Sequence, residues 1–359
     1  MIEGQGQHAK QPDSGANHPS ACRVRIAIVD PCSASAYDLP SLGQGGLGGT
    51  EATILRMARA LGSHCDITHF QGGRAQPGRS AAGRLMPLKD GLGVLGCDIA
   101  IVINRWKVAL RLRKRNPSLP ILLWLHVYPG RHNRKMGAAL KAAGVPVICV
   151  SHTHARTLSA FLGRRDTPPL RVIYNPIDDD LAPDETPRDC NRLLFASSPH
   201  KGLAEVFAQF ETLRSALPDL ELAVADPGYL AWRTGAVPKG VRFLGELPHP
   251  DLIAEMRRSL CLFYPQTSFA ETFGLVLAEA NAVGIPALVH AGLGANSEIL
   301  DDPKQCVNGH EPAQLLDRVR EWRETPPRIT GRDEFRLSRV AEKWLDMLCA
   351  SVPARAREP

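Results

Sequence analysis

Short runs of apolar and β-branched residues alternate with segments of helical periodicity along most of this chain. Runs at 24–30, 66–70, 98–103, 121–126, 145–151 and 171–174 predict the strands of a first sheet. Those at 193–196, 220–225, 241–244, 261–264 and 287–290 predict a second. Between them the pattern predicts helices, among them 51–61, 203–216, 250–258 and 272–283. Near-continuous hydrophobic strands separated by helices imply parallel sheets covered on both faces. The expected fold class is therefore α/β, two Rossmann-like, doubly wound parallel-sheet domains facing across a cleft. A ligand would lie in that crevice, outside the carboxyl ends of the strands.

Composition sets the domain limits. Residues 1–22 are polar, rich in Gly, Ser, Pro and Gln, and lack an apolar run; they read as a disordered leader, not a signal peptide. Residues 23–175 make the first domain, 176–190, rich in Pro and Asp, a hinge, and 191–334 the second domain, with a last helix at 335–349. No stretch approaches the ~20 apolar residues of a membrane-spanning helix. Nine scattered cysteines with no C-x-x-C pair read as reduced cytosolic thiols.

The net charge of +6 conceals an asymmetry, because residues 1–175 carry 23 Lys and Arg against 9 Asp and Glu. Between Asp98 and Asp166 there is no acidic residue, while 13 Lys or Arg occur. Such a one-signed half points to an acidic partner: a membrane surface, an anionic acceptor or nucleic acid. Residues 105–115 form a basic amphipathic helix with Trp106, Val108, Leu110 and Leu112 interleaved. The pattern suits an anionic membrane interface, and equally a surface helix whose apolar stripe packs on its sheet. No nucleic-acid motif accompanies the charge, so nucleic acid is not expected as a partner.

The most informative segment runs from Ser268 to Pro286, with Glu271 and Glu279 eight residues apart and Gly274 between them. It reads as a loop entering a helix at about Thr272 that ends at Gly284. The N–H groups of a first turn over Thr272, Phe273, Gly274 and Leu275 would attract phosphate, and Gly274 would let it approach closely. Each glutamate could then meet a different hydroxyl of the same ligand. The run Glu271-Thr-Phe-Gly274-Leu-Val, then Glu279-Ala and Gly284-Ile-Pro286-Ala, resembles the donor-binding signature of the family-4 retaining glycosyltransferases, which have the GT-B fold. The resemblance implies that Glu271 contacts the transferred sugar and Glu279 the nucleotide ribose. It also implies that the last helix crosses back onto the first domain.

Other segments are similar to the same family. Gly43 to Glu51, with Gly48 and Gly49 at a helix start, looks like the Gly-Gly-x-Glu entry that closes over donor phosphates and acceptor. It lacks the G-x-G-x-x-G order of a dinucleotide fold, and no acidic residue ends the second strand, which disfavours a dehydrogenase. His126 ends the strand at 121–126, where family members carry a His near the donor sugar. Arg131, Arg134 and Lys135 follow on a loop expected to point into the cleft toward an acceptor or anion. Ser197, Ser198, Lys201 and Gly202 open the second domain, where the family pattern Gly-Arg-x4-Lys-Gly neutralises the donor diphosphate. Lys201 matches that pattern, but Ala196 stands at the arginine position. Glu298 is expected to cap or hinge, and Asp178, Asp179 and Asp180 to be solvated. No Asp-x-Asp after a strand and no His/Cys cluster offers a metal site, so the chemistry is expected to be metal-independent.

These readings converge on a glycosyltransferase, retaining as the resemblance implies, with a nucleotide-diphosphate sugar, UDP- or GDP-linked, as co-substrate and no cofactor. A glycan or an anionic glycolipid, or an envelope polysaccharide precursor, is the candidate acceptor. The expected location is cytoplasmic, with peripheral contact at the inner face of the membrane as a candidate. The alternatives are a nucleotide-sugar 2-epimerase of the same fold and a catalytically silent protein that binds nucleotide sugar or anionic lipid.

Overall fold

The first sheet is built in chain order from β1 (Val24–Asp30), β2 (Cys65–Gln71), β3 (Gly78–Ser80), β4 (Gly83–Pro87), β5 (Ile99–Ile103), β6 (Ile121–Leu125), β7 (Val147–Cys149) and β8 (Leu170–Val172). Its spatial order is β3-β4-β2-β1-β5-β6-β7-β8, and every pairing is parallel except that of β3 with β4. The structure, a computed structural model, describes residues 23–228 and 235–352; the leader expected at 1–22 lies outside them. Strands β5 and β6 are buried at every position, as their unbroken apolar runs require of a sheet covered on both faces. The β3–β4 pair was not predicted, because its Gly- and Arg-rich sequence has neither alternation nor β-branched residues.

Helices α1 (Gly49–Leu61), α2 (Trp106–Arg115), α3 (Met136–Ala142) and α4 (His152–Leu162) cover this sheet. In α2, Ala109 and Leu112 are buried, and Trp106, Val108 and Leu110 pack on the same core. The apolar stripe of residues 105–115 thus faces the sheet, and Lys107, Arg111, Lys114 and Arg115 are exposed.

The second sheet contains β9 (Asp189–Ala196), β10 (Glu221–Ala225), β11 (Val241–Gly245), β12 (Ser259–Tyr264), β13 (Ala287–His290) and β14 (Cys306–Val307), ordered β11-β10-β9-β12-β13-β14 and parallel throughout. Its helices are α5 (Leu203–Ala216), α6 (His249–Arg257), α7 (Leu275–Ala282), α8 (Asn296–Ile299) and α9 (Pro312–Glu324). Helix α7 begins three residues later than expected, because Gly274 has φ +91° and caps the helix from outside it. A left-handed residue cannot be part of a helical turn, and glycine takes that conformation without steric cost.

The last helix, α10 (Leu337–Ser351), packs against α1, and Trp344 meets Trp124 of β6 edge-on at 4.6 Å. Two connecting segments run side by side: Ile177 donates to the Phe335 carbonyl and accepts from the Leu337 N–H. Asp178 and Asp179 are therefore not simply solvated. Asp179 caps α10 through the Ser338 N–H and hydroxyl, and Asp178 pairs with Arg56 of α1 at 2.8 Å. Among the described residues, no helix is long and apolar enough to cross a membrane.

Candidate functional site

A cavity of about 940 Å³ opens between the two domains at the carboxyl ends of their strands. The first domain contributes the loop after β1, the glycine loop from Gly46 into α1, and His126 with Tyr128 after β6. The second contributes Ala196 at the end of β9 with Ser197, Ser198, His200 and Lys201 beyond it, Ala225 at the end of β10 with Pro227, and the loop from Ser268 into α7.

Lys201 sits at the turn into α5, where Gly202 takes φ +89° as the helix cap. Its Nζ lies 3.0 Å from Glu271 Oε1 and 5.0 Å from the centre of the Phe269 ring. Tyr264 donates its hydroxyl to the same Glu271 oxygen at 3.2 Å. The backbone of Glu271 is pinned too, its carbonyl accepting from the Ala295 N–H at 2.9 Å. That approach needs Gly294, because a Cβ there would stand 2.4 Å from the Glu271 carbonyl oxygen.

The loop that carries Glu271 is fastened to the first domain. Thr272 donates its hydroxyl to the His126 carbonyl at 2.7 Å, and Ser151 donates to the Thr272 carbonyl at 2.6 Å. Phe273 is buried against Tyr174 and Phe335. His126 itself is buried with Nε2 lacking a partner, and burial, then His154, pushes its pKa down to about 3. A neutral imidazole lining the cavity can offer either a proton or a lone pair to a ligand.

The glycine loop lies on the second domain. A Cβ at Gly46, which has φ +82°, would meet Glu246 Oε2 at 3.2 Å and the Pro227 carbonyl at 3.3 Å, and one at Gly49 would meet Leu275 at 3.2 Å. Gly48, Gly49, His126, Ser197, Ser198, Lys201, Glu271, Thr272, Phe273, Gly274, Leu275 and Glu279 are thereby all brought to one cavity. Arg131, Arg134 and Lys135 are not. They stand exposed on a short 3-10 turn and its continuation into α3, outside the cavity lining, which corrects the expectation that this loop points into the cleft.

Glu279, one turn along α7, is nearly fully buried and does not stand alone. His249, the first residue of α6, brings Nε2 to 2.9 Å from Glu279 Oε1, and Arg56 brings Nη2 to 3.5 Å from the same oxygen. Burial by itself would raise the Glu279 pKa, but His249 and Arg56 outweigh it and hold the carboxyl below its ordinary range. Arg56 and His249 were not singled out by the sequence reading. A buried arginine two turns into α1 shares its helical pattern with ordinary surface cations, and only the docking of the domains reveals its partners. Among the described residues no cluster of three or more His, Cys, Asp or Glu is arranged to hold a metal ion.

Residues 192–336 match the family described as Glycosyl transferases group 1. The whole described chain has the GT-B fold. The solved structure of AviGT4, a glycosyltransferase involved in avilamycin A biosynthesis, superposes with a TM-score of 0.61 at 17% identity, covering 91% of this chain and 97% of that one. Among curated relatives, this chain is similar to a phosphatidyl-myo-inositol mannosyltransferase of Propionibacterium freudenreichii, with 39% identity over 112 residues, 31% of this chain and 27% of the relative. It is also similar to the phosphatidyl-myo-inositol mannosyltransferase of Mycolicibacterium smegmatis, with 31% identity over 216 residues, 50% of this chain and 55% of the relative. The chain thus spans from about a quarter to about half the length of these relatives.

Proposed function

We propose that this protein is a retaining glycosyltransferase that moves a sugar from a nucleotide-diphosphate sugar to a hydroxyl acceptor. The observation that carries the reading is the Lys201–Glu271 pair at 3.0 Å, in one cavity with the start of α7 and with Glu279. A cation and a helix N-terminus close together suit a diphosphate. In this reading Lys201, Ser197, Ser198 and the first N–H groups of α7 hold the diphosphate, Glu279 takes the ribose, and Glu271 and His126 meet the transferred sugar. Gly48 and Gly49 let the first domain close over the phosphates. The acceptor oxygen attacks the anomeric carbon from the face that the diphosphate leaves. The carbon–oxygen bond to the phosphate breaks, and the acceptor proton passes to the departing phosphate oxygen. Charge growing on that oxygen is where fixed donors help most. No step calls for a metal ion.

For the acceptor, the names of the relatives and the cationic first half of the chain favour an anionic glycolipid. The exposed cations of α2, and Arg131, Arg134 and Lys135, would then meet the anionic surface that carries it. Stronger binding to anionic than to neutral liposomes tests that part; equal, negligible binding to both removes it.

Ala196 supports a second reading, a silent nucleotide-sugar binder, because the usual second cation is missing from the phosphate subsite. Incubation with UDP-, GDP- and ADP-hexoses and phosphatidylinositol vesicles, with the product anomer read by NMR, separates the readings. Acceptor-dependent release of nucleoside diphosphate with a retained anomer is expected. An inverted product would refute retention, donor isomerised without acceptor would indicate an epimerase, and binding without transfer to any glycan or lipid a silent binder.

A further inference from the structure

Arg56 belongs to the first domain, and its side chain is only 4% exposed. It reaches three groups outside that domain's sheet and helices. Its Nε and Nη2 stand 3.1 and 2.8 Å from Asp178 Oδ2, in the segment that connects the domains. Its Nη2 is also 3.5 Å from Glu279 Oε1 in α7 and 3.3 Å from His249 Nε2 in α6. Arginine only donates and an ionised glutamate only accepts, so the Nε2 proton of His249 is directed at Glu279. The Arg56–His249 approach is then a contact of two donors, held by the two carboxylates between which they sit. Both contacts to Glu279 fall on Oε1. Glu279 lines the cavity, so its second oxygen is the one available to a ligand hydroxyl.

We propose that Arg56 and His249 are positioning residues for Glu279, and that Arg56 makes nucleotide affinity depend on docking of the first domain. The inference rests on the reading of the cavity as a nucleotide-sugar site. A carboxylate held by one oxygen offers the other to a ribose diol in a fixed direction, and part of that hold comes from the opposite domain. With the domains apart, Glu279 keeps only His249 and loses the cation that fixes its rotamer.

The test is calorimetric titration of the full chain with UDP, GDP and ADP, with Glu279→Gln, Arg56→Gln, Arg56→Lys and the double variant Arg56→Gln/Glu279→Gln. Wild type is expected to bind one nucleotide, and Arg56→Gln to weaken it tenfold or more. Arg56→Lys is expected to recover part of the loss, because an ammonium can still reach one carboxylate. The double variant is expected to bind no worse than Glu279→Gln alone, since Arg56 acts only through Glu279. Losses that multiply in the double variant, or Arg56→Gln binding within twofold of wild type, would overturn the proposal. If Arg56→Gln does not fold, Arg56→Lys, alone and paired with Glu279→Gln, carries the same test, its losses again expected not to multiply with those of Glu279→Gln, and binding by Arg56→Lys equal to wild type would then overturn the proposal. A wild type that binds no nucleotide would overturn the functional reading and this inference with it.

Discussion

Lys201 and Glu271, 70 residues apart in sequence, meet as an ion pair with Nζ 3.0 Å from Oε1. Each neutralises the other, so a diphosphate that takes Lys201 must do so against Glu271. Lys201→Met is expected to weaken nucleoside diphosphate binding by tenfold or more, about 1.4 kcal/mol. Glu271→Ala is expected to leave that affinity unchanged or tighter, because it releases Lys201, while turnover falls about a hundredfold, roughly 2.7 kcal/mol of barrier. Titration and initial rates on the two variants check the split. Full activity in Glu271→Ala would remove it from the site.

Gly294 supports Glu271 from behind, and a Cβ there would lie 2.4 Å from the Glu271 carbonyl and 2.7 Å from its nitrogen. Gly294→Ala is expected to displace the carboxylate and cut turnover, leaving nucleotide affinity within a few-fold of wild type. Loss of nucleotide binding equal to the loss of rate would mean that the whole loop, not Glu271, had moved.

Glu298 caps a helix of the opposite domain: its carboxylate accepts from the His152 and Thr153 N–H groups at the start of α4, at 2.7 and 2.6 Å, and from the Tyr174 hydroxyl. Burial would raise its pKa, but the bonds from Thr153 and His152 outweigh it and set the pKa below the ordinary value. The cap therefore stabilises the fold above the unfolded pKa of about 4.3, and the contribution is lost as pH falls through the folded value. Glu298→Gln is expected to cost about 1 kcal/mol at neutral pH, with wild type and variant converging in acid. Melting curves of both at neutral and acidic pH check it; a difference that persists in acid would contradict the ionic cap.

Three buried histidines of the first domain, His69, His126 and His154, are pushed down by burial to about 3, 3 and 4. Folding keeps them neutral, so protons favour the unfolded chain below its histidine pKa of about 6.5. Thermal stability is expected to fall steeply as pH drops from 7 to 5. A flat melting temperature over that range would show that these side chains have access to water.

Much of this was legible in the chain because it depends on local order. The strands β5 and β6 are unbroken apolar runs, β1 and β13 carry apolar runs of four and three residues, and Glu271, Gly274 and Glu279 share one loop and helix whose spacing fixes their relation. Helix α7 began later than expected because the pattern cannot show the left-handed φ of Gly274. What sequence could not show arises between domains. Arg56 meets Asp178 across 122 residues and Glu279 across 223, and neither separation leaves a periodic trace. The basic loop at Arg131 erred for the opposite reason: charge predicts exposure, not direction.

The central claim, a nucleotide-sugar site built on Lys201 and Glu279, is tested most directly by thermal-shift measurement with UDP-, GDP-, ADP- and CMP-sugars on wild type and Glu279→Ala. One donor at ~100 times its Kd is expected to stabilise the wild type by about 2.7 kcal/mol, with the shift lost in Glu279→Ala. Silence across the panel, or an equal shift in both proteins, would contradict it.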